Sequence, residues 1–359
     1  MAAGETRPHG GSRVDCVSCL VIDDDHNVLW ERNPHARLAN ASTTKMVTAL
    51  VVVGRADPRT RFTVSPRAAA TGGGGPQLAP GAHVTVGRLL EALLVASSND
   101  AAAVLAEGVG GNQASFVASM NRLVRRLGAE DTHFVNPHGL DAPGHFSSAA
   151  DLALFAEELL RHPLLARIVR ERSVRIRTTT GPERFENTNL LLETYPGMVG
   201  VKTGYTIAAG NVLVTAARRA GRRLISVAMH STDAFQDSRR LLDLGWARLG
   251  HTVLLARGTD VGSLVFDPAG ATEVTAGKTV RGIEDPNSVT IGFEAAPPPG
   301  DSIAAGDRVG SITLNSGGVE FARVPAVATR SLGAGDSAIA GILARILDLG
   351  SRLIPVGSG

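Results

Sequence analysis

The order in which β-like and helical runs follow one another is the strongest constraint this chain places on its fold. "CVSCLVID" and "VLWE" (residues 16–23 and 28–31) flank the polar turn "DDHN" and read as a hairpin. A long block of helical periodicity follows, from "STTKMVTALVVV" at Ser42 to "SSAADLALFAEELLRH" ending at His162. Its clearest stretch, "HVTVGRLLEALLVASS", sets Val86, Leu89, Leu90, Leu93 and Leu94 on one face behind Thr85 as N-cap. The β signature returns in "MVGVKTGYT", "NVLVTAARRA" and "RRLISVAMHS", then yields to the helix "DAFQDSRRLLDLGWARL". Two early strands, a helical block, three late strands and a helix imply an α+β fold. The early and late strands would share one antiparallel sheet with helices packed on it.

Past residue 250 the runs shorten, and "TVLLARGTDVGSLVF", "SVTIGFEA", "GDRVGSITLN" and "VEFARVPAV" read as a small all-β domain. The expected organisation is a disordered start at 1–13, a first domain at 14–250, a β-rich domain at 251–330, and a linker with an amphipathic helix at 331–359. That helix, at about 337–354, gathers Ser337, Gly341, Arg345, Asp348 and Arg352 into one polar stripe and leaves the rest apolar. With three charges it suits the surface of a bilayer better than its interior.

The chemistry begins with a shortage. Of 36 basic residues only Lys45, Lys202 and Lys278 are lysines, which leaves 33 arginines. Arg keeps its charge at any working pH, whereas a desolvated Lys loses its proton and can act as a base. Lys45 lies three residues after Ser42 in "ASTTKM", so on a helix the amine reaches the hydroxyl one turn away. A single Ser-x-x-Lys is common by chance and carries little alone. Lys202, however, heads "KTG" on a β-like run, and between the two lysines lies Ser97-Ser98-Asn99 at a helix junction. The spacings are 55 residues from Ser42 to Ser97 and 105 from Ser97 to Lys202. Lys278, in "TAGKTV", is a surface turn and not a phosphate loop, since the position five before Gly277 is Thr272.

Ser-x-x-Lys, Ser-x-Asn and Lys-Thr-Gly are the three signature motifs of penicillin-binding proteins and class A β-lactamases. With "VTVGRLLEALLVASSNDAA", "THFVNPHGLD", "HFSSAADLALFA", "NTNLLL" and "GVKTGYTIAAGNVLV", the chain resembles the D-alanyl-D-alanine carboxypeptidases of serine peptidase family S11, the low-molecular-mass penicillin-binding proteins, over about residues 14–330. The resemblance implies a β-lactamase/transpeptidase-like catalytic domain followed by the family's small β-domain. It implies Ser42 as nucleophile, Lys45 as its base, and Ser97 as proton donor to the departing D-Ala. Asn99 would orient Lys45 and the substrate amide, Lys202 and Thr203 would hold the terminal carboxylate and tune Ser97, and Gly204 would let substrate approach the strand. The backbone N–H groups of Ser42 and Tyr205 would bind the oxyanion. The expected partners are peptidoglycan stem peptides, β-lactam inhibitors, and a membrane surface through the C-terminal helix.

Two rivals share these motifs. A class A β-lactamase needs a Glu to activate the deacylating water, and "THFVNPHGLD", where it should lie, holds none. A non-catalytic cell-wall-binding protein would be expected to have lost Ser42, Lys45 or Lys202, and all are present. Other classes are excluded more simply. A net charge of +2 and 4% aromatics give no basic or stacking surface for nucleic acid. No cofactor or metal is implied, and His133, His138 and His145 read as parts of a structural loop. Cys16 and Cys19 read as two structural thiols, because residues three apart on one strand face opposite sides. The Gly-rich "ATGGGGPQLAPG" is expected to loosen one wall of the cleft. "MAAGETRPHGGSR" has no apolar segment, so no signal peptide is read in this chain. The substrate nonetheless places the protein on the extracytoplasmic face of the cytoplasmic membrane.

Overall fold

A computed structural model describes residues 14–250, 252–266, 270–282, 284, 289–296, 302–332 and 342–345. These form two compact units, with divisions after Arg218, Arg222 and Gly245. The first unit opens with β1 (Ser18–Ile22) and β2 (Val28–Arg32), paired antiparallel. A 3-10 turn, Ala41–Thr44, leads into α1 (Lys45–Val53). A short ribbon of β3 (Arg61–Thr63) and β4 (His83–Thr85) brackets α2 (Pro66–Ala69). Then come α3 (Val86–Leu94), α4 (Asn99–Gly110), α5 (Gln113–Arg126), α6 (Ala149–Arg161) and α7 (Pro163–Ile168).

Several helix starts have a local cause. Thr85 caps α3 through a bond from Arg88 N–H at 3.4 Å, and Ser98 caps α4 through Ala101 N–H at 3.2 Å. Ser148 caps α6 through Asp151 N–H at 3.2 Å, and Pro163 opens α7, where its missing N–H costs nothing. Val86, Leu89, Leu90, Leu93 and Leu94 are all buried in the main core, as the helical period requires. Truncating Leu93 to Ala there would cost about 2–5 kcal/mol.

β5 (Ser173–Thr178) and β6 (Gly181–Glu186) form a separate hairpin, followed by α8 (Leu191–Thr194). The late strands β7 (Met198–Thr206), β8 (Gly210–Arg219) and β9 (Arg222–Ser231) precede α9 (Ala234–Leu249). They join the early hairpin in one five-stranded sheet, ordered β2-β1-β9-β8-β7. Early and late strands therefore do share a sheet, and β7 is left on its edge, which is where the site forms.

The second unit is sheet-rich. It holds β10 (Thr252–Leu255), β11 (Asp260–Phe266), β12 (Gly270–Ala276), β13 (Val280–Gly282), β14 (Val289–Ala295), β15 (Arg308–Ser316), β16 (Val319–Ala328) and β17 (Ile342–Arg345). β10 pairs with β13, and the other six form one sheet ordered β14-β15-β16-β12-β11-β17. Its core is its own, built on Leu264, Val309, Ile312, Leu314 and Ala326. Lys278 lies exposed in the bend between β12 and β13.

Two expectations require correction. Cys16 and Cys19 form a disulfide, not two thiols. The extended run begins only at Ser18, so Cys16 lies before the strand, and a Cα–Cα distance of 6.0 Å is within bridging range. The C-terminal helix expected at about 337–354 is interrupted: Ile342–Arg345 is strand, paired antiparallel with β11. The exposed edge of β11 offers unpaired backbone groups that an apolar segment can satisfy. The rest of that helix, and residues 1–13, lie outside the described residues.

Candidate active site

The site is assembled around Ser42, in the turn that starts α1. Being three residues apart across this 3-10-to-α junction, Ser42 and Lys45 meet directly, with Nζ 2.7 Å from Oγ. Two further acceptors surround the amine, Asn99 Oδ1 at 2.7 Å and the His138 carbonyl at 2.7 Å. Those two oxygens can only accept. A neutral amine therefore spends its two N–H bonds on them and turns its lone pair to the Ser42 hydroxyl. The electrostatics favour that state. Lys45 is fully buried, and this desolvation, followed by the charge of Lys202, holds its pKa well below the usual lysine value.

The second wall is the loop before α4. Ser97 sits there with φ +58° and lines the cleft, while Asn99 opens the helix. Asn99 Nδ2 donates to Gly72 O at 2.7 Å, which fixes Oδ1 toward Lys45. The Gly-rich segment proves tight. A Cβ on Gly75 would fall 2.5 Å from Ser98 Cα, and one on Gly73 would fall 2.9 Å from Asn99 Nδ2. Both glycines have φ +79°. The glycines therefore let the backbone close on the Ser-x-Asn loop, and the expected loosening is corrected.

The third wall is edge strand β7. A Cβ on Gly204 would fall 3.0 Å from Ser42 N, so only glycine lets the strand lie this close to the nucleophile turn. Lys202 is 1% exposed, and burial lowers its pKa to about 7. Its Nζ donates to Thr203 O at 2.9 Å and more weakly to Thr203 Oγ1 at 3.4 Å. Thr203 Oγ1 in turn donates to Thr188 Oγ1 at 2.7 Å. Among the described residues no hydrogen bond joins Lys202 to Ser97, so the expected tuning of Ser97 has no direct contact behind it. The cleft, of about 320 Å³, is lined by Ser42, Gly73, Gly75, Ser97, Thr188, Thr203, Gly204 and Tyr205 among others.

The residues given catalytic or binding roles from the sequence, Ser42, Lys45, Ser97, Asn99, Lys202, Thr203, Gly204 and Tyr205, are thus brought to one cleft or its wall. Three contributors carried no legible role: the His138 carbonyl, Thr188, and Gly139. Gly139 has φ +91°, and a Cβ there would fall 1.9 Å from the Ala41 carbonyl oxygen. Thr188 was present in the sequence as "NTN", without a partner to give it meaning. The histidines are held by the fold: Gly144 O accepts from His133 Nδ1 at 2.7 Å, and His138 Nδ1 accepts from Leu140 N–H at 3.2 Å.

A serine hydroxyl against a buried amine of lowered pKa, beside a strand edge that can dock a peptide, is suited to acyl transfer. Comparison with known proteins points the same way. The sequence profile described as D-alanyl-D-alanine carboxypeptidase, peptidase S11, matches residues 4–233. The chain is 31% identical over 329 residues to the D-alanyl-D-alanine carboxypeptidase DacF of Bacillus subtilis, covering 87% of this chain and 84% of that one. The crystal structure of the carboxypeptidase DacD from Francisella tularensis superimposes with a TM-score of 0.64 at 25% identity, covering 93% of this chain and 98% of that one. Penicillin-binding protein 5 from Haemophilus influenzae gives a TM-score of 0.64 at 26% identity, over 92% of this chain and 100% of that one. With the motifs, their convergence on one cleft and a match along most of its length in agreement, this chain belongs to the D-alanyl-D-alanine carboxypeptidase family, peptidase family S11.

Proposed function

We infer that the protein is a serine-type D-Ala-D-Ala carboxypeptidase acting on peptidoglycan stem peptides, and that penicillin acylates the same serine. The observation that carries this reading is the 2.7 Å contact between Lys45 Nζ and Ser42 Oγ, made by an amine whose pKa burial holds well below the usual lysine value. Ser42 Oγ attacks the carbonyl carbon of the penultimate D-Ala while its proton passes to Lys45. The oxyanion is held by the N–H groups of Ser42 and Tyr205. Collapse breaks the C–N bond, and the departing D-Ala amine takes its proton through Ser97. Water then hydrolyses the ester and frees Ser42. Asn99 holds Lys45 in place, and Lys202 with Thr203 receives the terminal carboxylate, with Gly204 leaving room for the peptide.

The β-lactamase alternative is disfavoured because no carboxylate stands among the described residues lining the cleft. A penicilloyl ester on Ser42 would therefore persist. Labelling with fluorescent penicillin, with release of D-Ala from a soluble D-Ala-D-Ala peptide, tests the reading. A folded protein that neither labels nor releases D-Ala would leave the wall-binding alternative. Rapid loss of label would favour the β-lactamase.

We also propose an extracytoplasmic location, with the tail touching the membrane surface, because the substrate lies outside the cytoplasmic membrane. The sequence from 337 to 354 supports the contact through its single polar stripe, and pairing of 342–345 with β11 would compete with it. Sedimentation with liposomes by the full chain, but not by a chain ending at Ala334, is the expected result. Equal sedimentation removes the anchor.

A further inference from the structure

The turn carrying the nucleophile is strained. Ala41 has φ +48°, a conformation that L-residues with a Cβ seldom adopt without support from their surroundings. The support is a chain of hydrogen bonds running from Ala41 O through Thr44 to His145. Thr44 Oγ1 donates to Ala41 O at 2.8 Å. A hydroxyl has one proton, so its other two partners must both donate to it. These are Asn40 Nδ2 at 2.9 Å and His145 Nε2 at 2.8 Å. Nδ1 of His145 accepts from Val135 N–H at 3.2 Å. The inventory closes on one state, a neutral imidazole protonated at Nε2. The ring is buried, 6% exposed, against Phe134 at 5.3 Å.

The carbonyl that this chain grips belongs to the same peptide group as Ser42 N–H. A trans peptide is planar, so fixing Ala41 O in one direction fixes Ser42 N–H in the opposite one. We propose that His145, acting through Thr44 and Ala41 O, is a positioning residue that aims the Ser42 N–H at the developing oxyanion. The proposal rests on the acyl-transfer reading above. The group it aligns is a backbone donor whose worth depends on direction, and preorganisation is what makes such donors effective in a transition state.

Thr44→Val keeps the shape of the side chain and removes the hydroxyl; Thr44→Ser restores it; His145→Ala removes the far end of the chain. The acylation rate with a penicillin, the KM for a D-Ala-D-Ala peptide, affinity for a boronic acid that mimics the tetrahedral intermediate, and Tm are measured for each. A misdirected oxyanion donor should lower acylation by roughly 10- to 100-fold, below the cost of losing such a donor outright. Boronate affinity should fall by a similar factor, KM should stay within about twofold by the same differential-binding argument, and Thr44→Ser should recover most of the rate. Should His145→Ala not fold, the Thr44 pair decides alone. A folded Thr44→Val enzyme with unchanged acylation and only a lowered Tm overturns the proposal, as does a loss carried by KM alone. The wild-type protein separates the two levels: no penicillin labelling of it removes the acyl-transfer reading and this proposal together. A labelled wild type with an unaffected Thr44→Val variant removes this proposal only.

Discussion

The surroundings of the two buried lysines differ in one respect that decides what each can do. Lys45 is met by the Ser42 hydroxyl one turn away and by two acceptors from distant segments, Asn99 Oδ1 and the His138 carbonyl. Among the described residues, Lys202 is met only by its neighbour Thr203. An ammonium has three N–H donors, and among the described residues the third of Lys202 has no acceptor. The lesson is that equal burial does not give equal function. Lys45 has its hydrogen-bonding capacity filled by the protein and is poised to exchange a proton with one chosen hydroxyl. Lys202 keeps a donor in reserve, which an incoming carboxylate can fill.

The most damaging way to break this contrast is to make the first lysine a permanent cation. Lys45→Arg should fold, yet its acylation by penicillin should fall at least about 10²- to 10³-fold, the scale of losing general-base help. Near-normal labelling of the Arg variant would show that basicity is not what the position requires. The next largest effect comes from spoiling the cage instead of the amine. Gly139→Ala would drive a Cβ into the Ala41 carbonyl, at 1.9 Å, and push the neighbouring His138 carbonyl from Lys45. Overpacking and backbone strain together should cost about 2–4 kcal/mol of stability. Acylation should fall as well, measured by denaturant melts and penicillin kinetics on the folded fraction.

The contrast is sharpened by pH. In its proposed role Lys202 must be charged to hold the terminal carboxylate, and burial lowers its pKa to about 7. As pH rises through that value the cation is lost, so kcat/KM for a carboxylate-ended peptide should decline above about pH 7. The Lys45 base works in the opposite sense, gaining activity as it loses its proton. Lys202→Arg stays charged throughout. It should cost less than about tenfold in kcat/KM at pH 6, since a charge is retained, and it should move the alkaline decline to higher pH. An unmoved decline would assign that limb to another group. The smallest effect is expected from removing the second unit. A chain ending at Gly250 lacks the second unit's separate core, and on the soluble peptide it should keep most of its activity if folded. Loss of activity in that folded fragment would mean that the β-rich unit contributes to the site.

Much of this was legible beforehand, and the reasons are local. The face formed by Val86, Leu89, Leu90, Leu93 and Leu94, the cap at Thr85, and the three-residue step from Ser42 to Lys45 each depend on neighbours within one or two turns. What escaped depends on contacts between distant segments. His138 acts through its carbonyl, which every residue possesses, so its identity announces nothing. Gly73 and Gly75 read as slack because the composition around them is that of a flexible loop, whereas their close approach to Asn99 and Ser98 makes a tight seam. The alternation of Val174, Ile176 and Thr178 with Arg175 and Arg177 did carry a strand signal in β5, masked by so many arginines. The cysteines were misread through one boundary, since β1 begins two residues later than the apolar run suggested.

The close seating of Gly139 and Gly204 against the Ala41–Ser42 backbone has a consequence for the order of events in the cell. The reactive serine is made early, near the start of the chain, but the surfaces that hold its turn are synthesised far later. A ribosome-bound or proteolytic fragment ending before Gly204 would contain the nucleophile and its base yet lack the strand that seats them. Incomplete chains should thus be inert toward both peptide and antibiotic. Reactivity would arrive as a late step of folding, once edge strand β7 has seated itself beside a serine made long before.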